Sequence, residues 1–552
     1  MNRNSNERFA TVPEAHIRRS KFVMPSQLKT TFNVGQLVPF FCEEVLPGDT
    51  FNVKSSKVVR MQTPLYPIMD NLYLDTYYFF VPNRLVWSHW ENFMGQNDSS
   101  AWIPQVEYSV PQVEAPLTGW AVGTIADYFG IPTGVGKIKV NALPFRAYGR
   151  IVNDWFRDEN LQNPVNIPLS DSSRPGSNGG DYVQDICGGG KPFIVCKRHD
   201  YFTSALPSPQ KGPEVDLPLA GGLAPVFAHN QNIPGDLLTN RLDFKDTFPV
   251  SLGTAYNVSV VGVSGGAPSL VANSSDSSPA SSNYKDLIPA NLWAQLDAIG
   301  SVSINSMRIA IAAQQFYEKL ARGGSRYIET IRSMFGVVNP DYRLQRSEYL
   351  GGDRVPVNIN SVVQSSSGVT DSPLGNVGAQ SVTTDRNQDF TKSFTEHGFV
   401  IGLMCVRYDH SYQQGIRKMW SRKSMFDYYF PIFANLGEMP IKNKEIYATG
   451  TETDDEVFGY QEAWAEYRYR PSFVTGEMRS VYDKTLDSWH LADYYSSQPY
   501  LSSGWIQEDG KTLDRCLAVS SDLSAQFFCD IGTWLEATRP LPVYSVPGLD
   551  KI

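Results

Sequence analysis

The sequence predicts a mainly β protein, an antiparallel sandwich whose loops have been enlarged, and three observations carry that prediction. Short runs rich in aromatic and β-branched residues are separated by turn signals. The 36 prolines and 43 glycines are scattered along all 552 residues rather than gathered in one tail, which cuts the chain into many short pieces. The strand-like runs lie far apart and lack the regular strand and helix alternation of a parallel sheet.

Taken in order, QLVPFFC (36–42), FNVKSSKVV (51–59) and LYLDTYYFFV (72–81) read as strands bounded by PGD, TP and PN turns. In the third, Leu72, Leu74, Thr76, Tyr78 and Phe80 alternate with Tyr73, Asp75, Tyr77, Phe79 and Val81. Neither set is polar enough to face water, so this strand is expected to be covered on both sides. Residues 141–161 place Phe145, Tyr148, Val152 and Trp155 on one helical stripe, with Arg146, Arg150, Asp154 and Arg157 elsewhere around the cylinder. A helix pair follows at 303–336, divided at Gly323-Gly324: one stripe is Ile309, Ala313, Phe316 and Leu320, the other Ile328, Ile331 and Phe335. Ser325 can cap the second helix, Gly336 suits the left-handed position after it, and Pro340 prevents it from resuming. Strands resume at FVIGLMCVRY (399–408), AWAEYRYRPSFV (463–474) and AQFFCDI (525–531).

Hydrophobic residues make up 41% of the chain and charged residues 19%. The charged share lies below the roughly 25% of soluble domains and suggests extensive contact surface. Six cysteines without any CxxC pair indicate buried thiols rather than a zinc site or a disulfide framework. The first thirty residues carry Arg3, Arg8, Arg18, Arg19 and Lys21 but no apolar signal-peptide core, and no later run approaches membrane-spanning length. Folding in the cytoplasm that makes the chain is the expectation.

Apparent catalytic motifs do not hold together. GVSGG at 262–266 fits a nucleophile-elbow pattern around Ser264, but Pro268 and a Ser-rich coil stand where a helix is needed. GIPTGVGKI (130–138) has the wrong spacing for a phosphate loop and reads as a turn, and GGGK (188–191) reads as a flexible loop tip. His199, Asp200 and Ser204 invite a triad, yet adjacent strand residues point to opposite faces, which leaves His199 a structural hydrogen-bonding role. The acidic run Glu452, Asp454, Asp455 and Glu456 offers hard oxygen ligands for a divalent cation, but without a calcium loop's alternation it reads as a solvated loop. No catalytic residue, cofactor site or metal site is assigned.

Several long blocks carry a resemblance. KTTFNVGQLVPF (29–40), EEVLPGDTFNV (43–53), TPLYPIMDNLYLDTYYFFVPNRLVW (63–87), VNALPFRAYGRIVNDWFRDENLQ (140–162), KRHDYFTSALPSPQKGP (197–213), ARGGSRYIETIRSMFGV with RLQRSEYLGG after it, FGYQEAWAEYRYRPSFVTGEMRS (458–480), TLDSWHLAD (485–493) and RPLPVYSVPGL (539–549) recur in the same order in one family. The chain resembles the major capsid proteins of the Microviridae, small icosahedral single-stranded DNA bacteriophages, and specifically the gokushovirus branch. Departures are confined to residues 214–290 and, more mildly, 360–390.

The resemblance implies an eight-stranded antiparallel jelly roll occupying residues 31–552 behind a basic N-terminal arm (1–30), with the helices as insertions. It implies a structural protein, not an enzyme, that assembles with itself through pentamers into a sixty-copy (T=1) shell around circular single-stranded DNA. The virion is its expected location, after assembly in the cytoplasm of the bacterial host. Residues 214–290, rich in Gly, Ser, Pro, Ala and Asn, occupy the place of the insertion that forms threefold protrusions in that branch and are expected to contact the host's surface receptor. A net charge of −9 is awkward for a protein that encloses DNA. Basic groups are therefore expected to concentrate on one face, or a small basic DNA-binding virion peptide to help, beside a minor spike or pilot protein. Arg18, Arg19 and Lys21 are the candidate DNA-facing residues. A different class of function, a carbohydrate-binding or glycan-cleaving β-sandwich, is suggested by 28 Tyr and 11 Trp.

Overall fold

Two four-stranded antiparallel sheets form the frame, and they draw their strands from both ends of the chain. A computed structural model describes residues 18–96, 107–212, 304–323, 331–336, 345–366 and 374–544, with residue 329 and short strands between 226 and 294. The frame strands are β1 (Ser20–Phe32), β2 (Val38–Val45), β3 (Thr50–Met61), β4 (Leu72–Pro82), β5 (Glu348–Pro356), β6 (Thr383–Ser393), β7 (Gly398–Tyr408) and β8 (Phe527–Arg539). The first sheet runs β1-β8-β3-β6 and the second β5-β4-β7-β2. Consecutive strands thus alternate between the sheets at β1 to β4, which is the connectivity of a jelly roll.

Sequence periodicity explains the layering. Along β4, Leu72, Leu74, Tyr78 and Phe80 pack between the two sheets with Phe51, Val53 and Val59 of β3. Phe79 and Val81 point the other way, into a second core with Trp87, Trp120, Phe145, Tyr148 and Ile151. β7 divides its residues in the same manner, Val400, Met404 and Val406 inward and Phe399, Ile401 and Leu403 outward. The second sheet is therefore buried on both faces, as the unbroken apolar run predicts. Helix α1 (Leu143–Ile151), continued by a wider turn through Phe156, supplies much of the covering layer.

Contacts divide the chain into two compact units, Met1–Lys211 with Glu318–Ile552, and Gly212–Tyr317. The variable segment 214–290 falls within the second. The described part of that unit holds short antiparallel strand pairs, such as Val258–Val261 with Ser269–Ala272, and most of the helix Ile304–Gly323.

Four expectations are corrected, and one residue set off the apolar stripe, Arg146, is found buried. Residues 20–30 are not an arm: they form β1, paired along its whole length with β8. Residues 463–474 are not a strand. Trp464 adopts φ 60° and Ala465–Tyr467 make a tight helical turn, because alternation alone cannot hold a strand that has no ladder partner, and Pro471 lacks a donor. Arg146 is buried, donating to the carbonyls of Val86 and Ser170 at 3.2 and 3.0 Å. The glycines at 188–190 are no flexible tip: they are buried, and Trp120 Nε1 donates to the Gly188 carbonyl at 3.0 Å. In helix α2 (Ile304–Gly323) the apolar stripe is not a packed one, since Ile309 and Phe316 remain exposed. Of its expected partner helix only Glu329 and the turn Ile331–Phe335 are described, with Gly336 at φ 68° as expected; Ser325, Ile328 and Pro340 lie outside the described residues.

Long loops of the first unit are held by a buried charge network. His410 donates to Asp493 at 2.9 Å through Nδ1 and to Glu508 at 3.1 Å through Nε2. Lys197 Nζ and the Tyr495 hydroxyl donate to Asp493 at 3.0 and 2.9 Å. All six cysteines are free thiols, four of them buried.

Candidate nucleic-acid interface

Among the described residues the outer face of the first sheet is bare. Register places its outward residues in rows across β1, β8, β3 and β6: Lys29-Asp530-Val58-Thr384, Gln27-Gly532-Ser56-Arg386 and Pro25-Trp534-Lys54-Gln388. Lys21 stands at one end of this face and Arg60 at the other. Five cations, Lys21, Lys29, Lys54, Arg60 and Arg386, thus share it with two acids, Asp530 and Glu536. In a chain of net charge −9 this is a local reversal of sign.

The acids are partly occupied. Glu536 pairs with Lys21 at 2.9 Å and with Lys54 at 3.6 Å, and the hydrogen bond from Lys21 leads in lowering its pKa. Asp530 accepts from the Gln27 side-chain amide at 2.9 Å. Lys29, Arg60 and Arg386 are exposed. At the Arg60 end a groove of about 750 Å³ opens between the sheet and the Tyr128 region, bordered by Lys29, Thr31, Arg60, Tyr128 and Phe528.

Of the candidate DNA-facing residues, Arg18 is exposed just before β1. Arg19 is exposed too, and its guanidinium lies against Gly48 in the turn between β2 and β3, where a Cβ would meet it at 3.3 Å. Lys21 sits on the bare face with Glu536 beside it. The better placed cations, Lys29, Arg60 and Arg386, escaped the sequence reading. Two-residue alternation in β3 marks Lys54 and Arg60 as sharing a face, but only strand order shows that this face is uncovered.

Other sequence motifs resolve as local structure. The Asp200 carboxylate accepts from the backbone of Phe202 and Thr203 and from the Tyr412 hydroxyl at 2.6 Å. Ser204 donates to the Asp200 carbonyl rather than to an imidazole. His199 is exposed, so the hydrogen-bonding role expected of it falls instead to the buried His410 and His490. In the acidic run, Asp454 accepts from Thr449 and Gly450, and Asp455 from Lys442 and Lys444. Among the described residues no three His, Cys, Asp or Glu side chains gather as a metal site, and these carboxylates are turned to separate partners. Ser264 lies outside the described residues. Among the described residues no helix is long and apolar enough to cross a membrane.

A bare basic face on a jelly roll is a form suited to a shell wall, and comparison with known proteins agrees. The family described as Capsid protein (F protein) matches residues 10–549. The chain belongs to this phage capsid protein family. Three relatives carry the name capsid protein VP1. That of Spiroplasma virus 4 is 44% identical over 549 residues, that of Chlamydia phage 1 is 43% identical over 595, and that of Bdellovibrio phage phiMH2K is 40% identical over 550. Each alignment covers 99% of this chain and 98% of the relative. As a member of the capsid family the protein is a structural component of the virion, and its sandwich is the capsid jelly roll.

Proposed function

We propose that sixty copies of this capsid protein close into a T=1 shell around circular single-stranded DNA, with the bare face of the first sheet turned inward. One observation carries the proposal: the insertions bury the second sheet while the first keeps an open surface on which cations outnumber acids. Phosphate neutralisation needs such a surface. Copy-to-copy contact is supported by exposed large apolar side chains, Trp420, Phe426 and Ile432 at 73%, 64% and 84% exposed, since such side chains clustered at a surface mark interaction sites. The uncovered stripe of α2 supports the same use.

Arg18 and Lys21 extend the basic face toward the N-terminus. A small basic virion peptide, a minor spike or pilot protein and a bacterial receptor complete the proposed partners, the receptor meeting the Gly- and Ser-rich segment 214–290. Expressed alone, the chain is expected to give uniform shells or pentamers in electron microscopy and sedimentation; a persistent monomer at high concentration would sink the assembly reading. Deleting residues 255–282 is expected to leave soluble, assembling protein whose particles attach poorly to host cells. Insoluble protein, or undiminished attachment, would count against a receptor role for that segment.

A further inference from the structure

Basic residues explain attraction to a polyanion, but not what the bases of a single strand would touch. We propose that Trp534, at the centre of the bare face, is a stacking platform for a base of the packaged DNA. The proposal rests on the inward orientation argued above.

Three observations place it there. An ideal Cβ built on Gly532 would meet the far edge of the Trp534 indole at 3.2 and 3.4 Å, so the ring is folded down over the one position of β8 that has no side chain. Gly532 is thereby the seat of the ring: any larger residue would lift it. Trp534 nevertheless stays 40% exposed, which a tryptophan laid on a sheet achieves by turning its other π-face to solvent. Its register neighbours are Pro25 on β1 and Lys54 on β3, and Arg386 lies in the next row, separated from Gly532 by Ser56. An open indole face with cations a row away is the arrangement that non-specific single-strand binders use, the ring taking a base of any identity and the cations the phosphates on either side. The acids within reach, Glu536 and Asp530, are engaged by Lys21, Lys54 and Gln27. Neighbouring Phe528, paired with Arg60 across β8 and β3, repeats the pairing of ring and cation one groove away.

Binding of a fluorescent oligothymidine to the full-length protein before it closes into shells, measured across a salt series, tests this. Trp534→Ala is expected to weaken binding by about tenfold or more while leaving the salt slope unchanged, because one stacked base is lost and no phosphate contact. A triple variant, Lys29→Gln, Arg60→Gln and Arg386→Gln, is expected to reduce the slope by about 2. Wild-type affinity in Trp534→Ala beside a weakened triple variant would overturn stacking and leave the inward face standing. Wild-type behaviour in both would overturn both. Should Trp534→Ala fail to fold, photo-cross-linking of an iodouracil-substituted oligonucleotide to the unaltered protein decides: adducts on the peptide containing Trp534 are expected, and adducts confined to peptides away from the bare face would refute the platform.

Discussion

Raising the pH from about 6.5 to above 9 is expected to cost the folded capsid protein about 3 kcal/mol through His410 alone. Burial by itself would lower the pKa of this imidazole, but the carboxylates of Asp493 and Glu508 on its two nitrogens raise it from 6.5 to about 9. The folded protein therefore holds a proton that the unfolded chain releases near 6.5. This stabilisation is complete below that value and disappears as the pH rises through 9. Asp493 adds the opposite limb. Burial alone would raise its pKa, yet His410 and Lys197 hold it well below the usual carboxylate range, so its contribution is present above about 4 and fades in acid. Urea unfolding midpoints should accordingly be highest between about pH 4 and 6.5 and fall toward pH 9, and His410→Gln, already destabilised, should lose most of the alkaline slope. A wild-type midpoint that stays level from pH 6.5 to 9.5 would show that His410 is neutral in the folded protein.

That network also marks where sequence reading stops. Its members, Lys197, His410, Asp493 and Glu508, come from four separated loops, and nothing in local composition connects them. Strands were legible where a physical constraint acts locally. The apolar run 72–81 announces burial on both faces, the run 399–408 reads as a strand, and both are frame strands. Residues 463–474 show the limit of the same logic, because alternation describes a strand's faces but not whether another strand lies beside it. β1 was missed as a strand because Lys21, Pro25 and Lys29 give it a polar outer face, and that polarity is the property that matters for function. The helical pattern at 141–161 was read correctly as a helix, yet setting Arg146 off its apolar stripe does not reveal that the structure buries it against the Val86 and Ser170 carbonyls. Single-residue patterns cannot tell a charged group facing water from one facing carbonyls.

Lys57 makes that point at the highest energetic stake. It sits on the inward side of β3, its side chain 1% exposed between the sheets, with Asp385 at 3.1 Å, Asp389 at 3.9 Å and the Thr76 hydroxyl at 3.4 Å. Asp389 is itself buried and accepts from the Tyr78 hydroxyl at 3.2 Å. Lys57→Ala is expected to cost about 3–5 kcal/mol, since it strands a carboxylate in the sandwich core without its cation. Burial already raises the Asp389 pKa against the lowering influence of Lys57, so the variant's Asp389 should take up a proton more readily, and the penalty should shrink as the pH falls. Removing both charges distinguishes a lost attraction from a lost shape. Lys57→Met combined with Asp389→Asn keeps most of the volume and leaves only the partly exposed Asp385 without its cation, so it should recover part of the stability lost in Lys57→Ala. Chemical denaturation of the three proteins at pH 5 and pH 8 measures each term. A single variant within 1 kcal/mol of the parent at pH 8 would mean that water reaches Asp389, and that the two sheets are held at this point by their apolar neighbours alone.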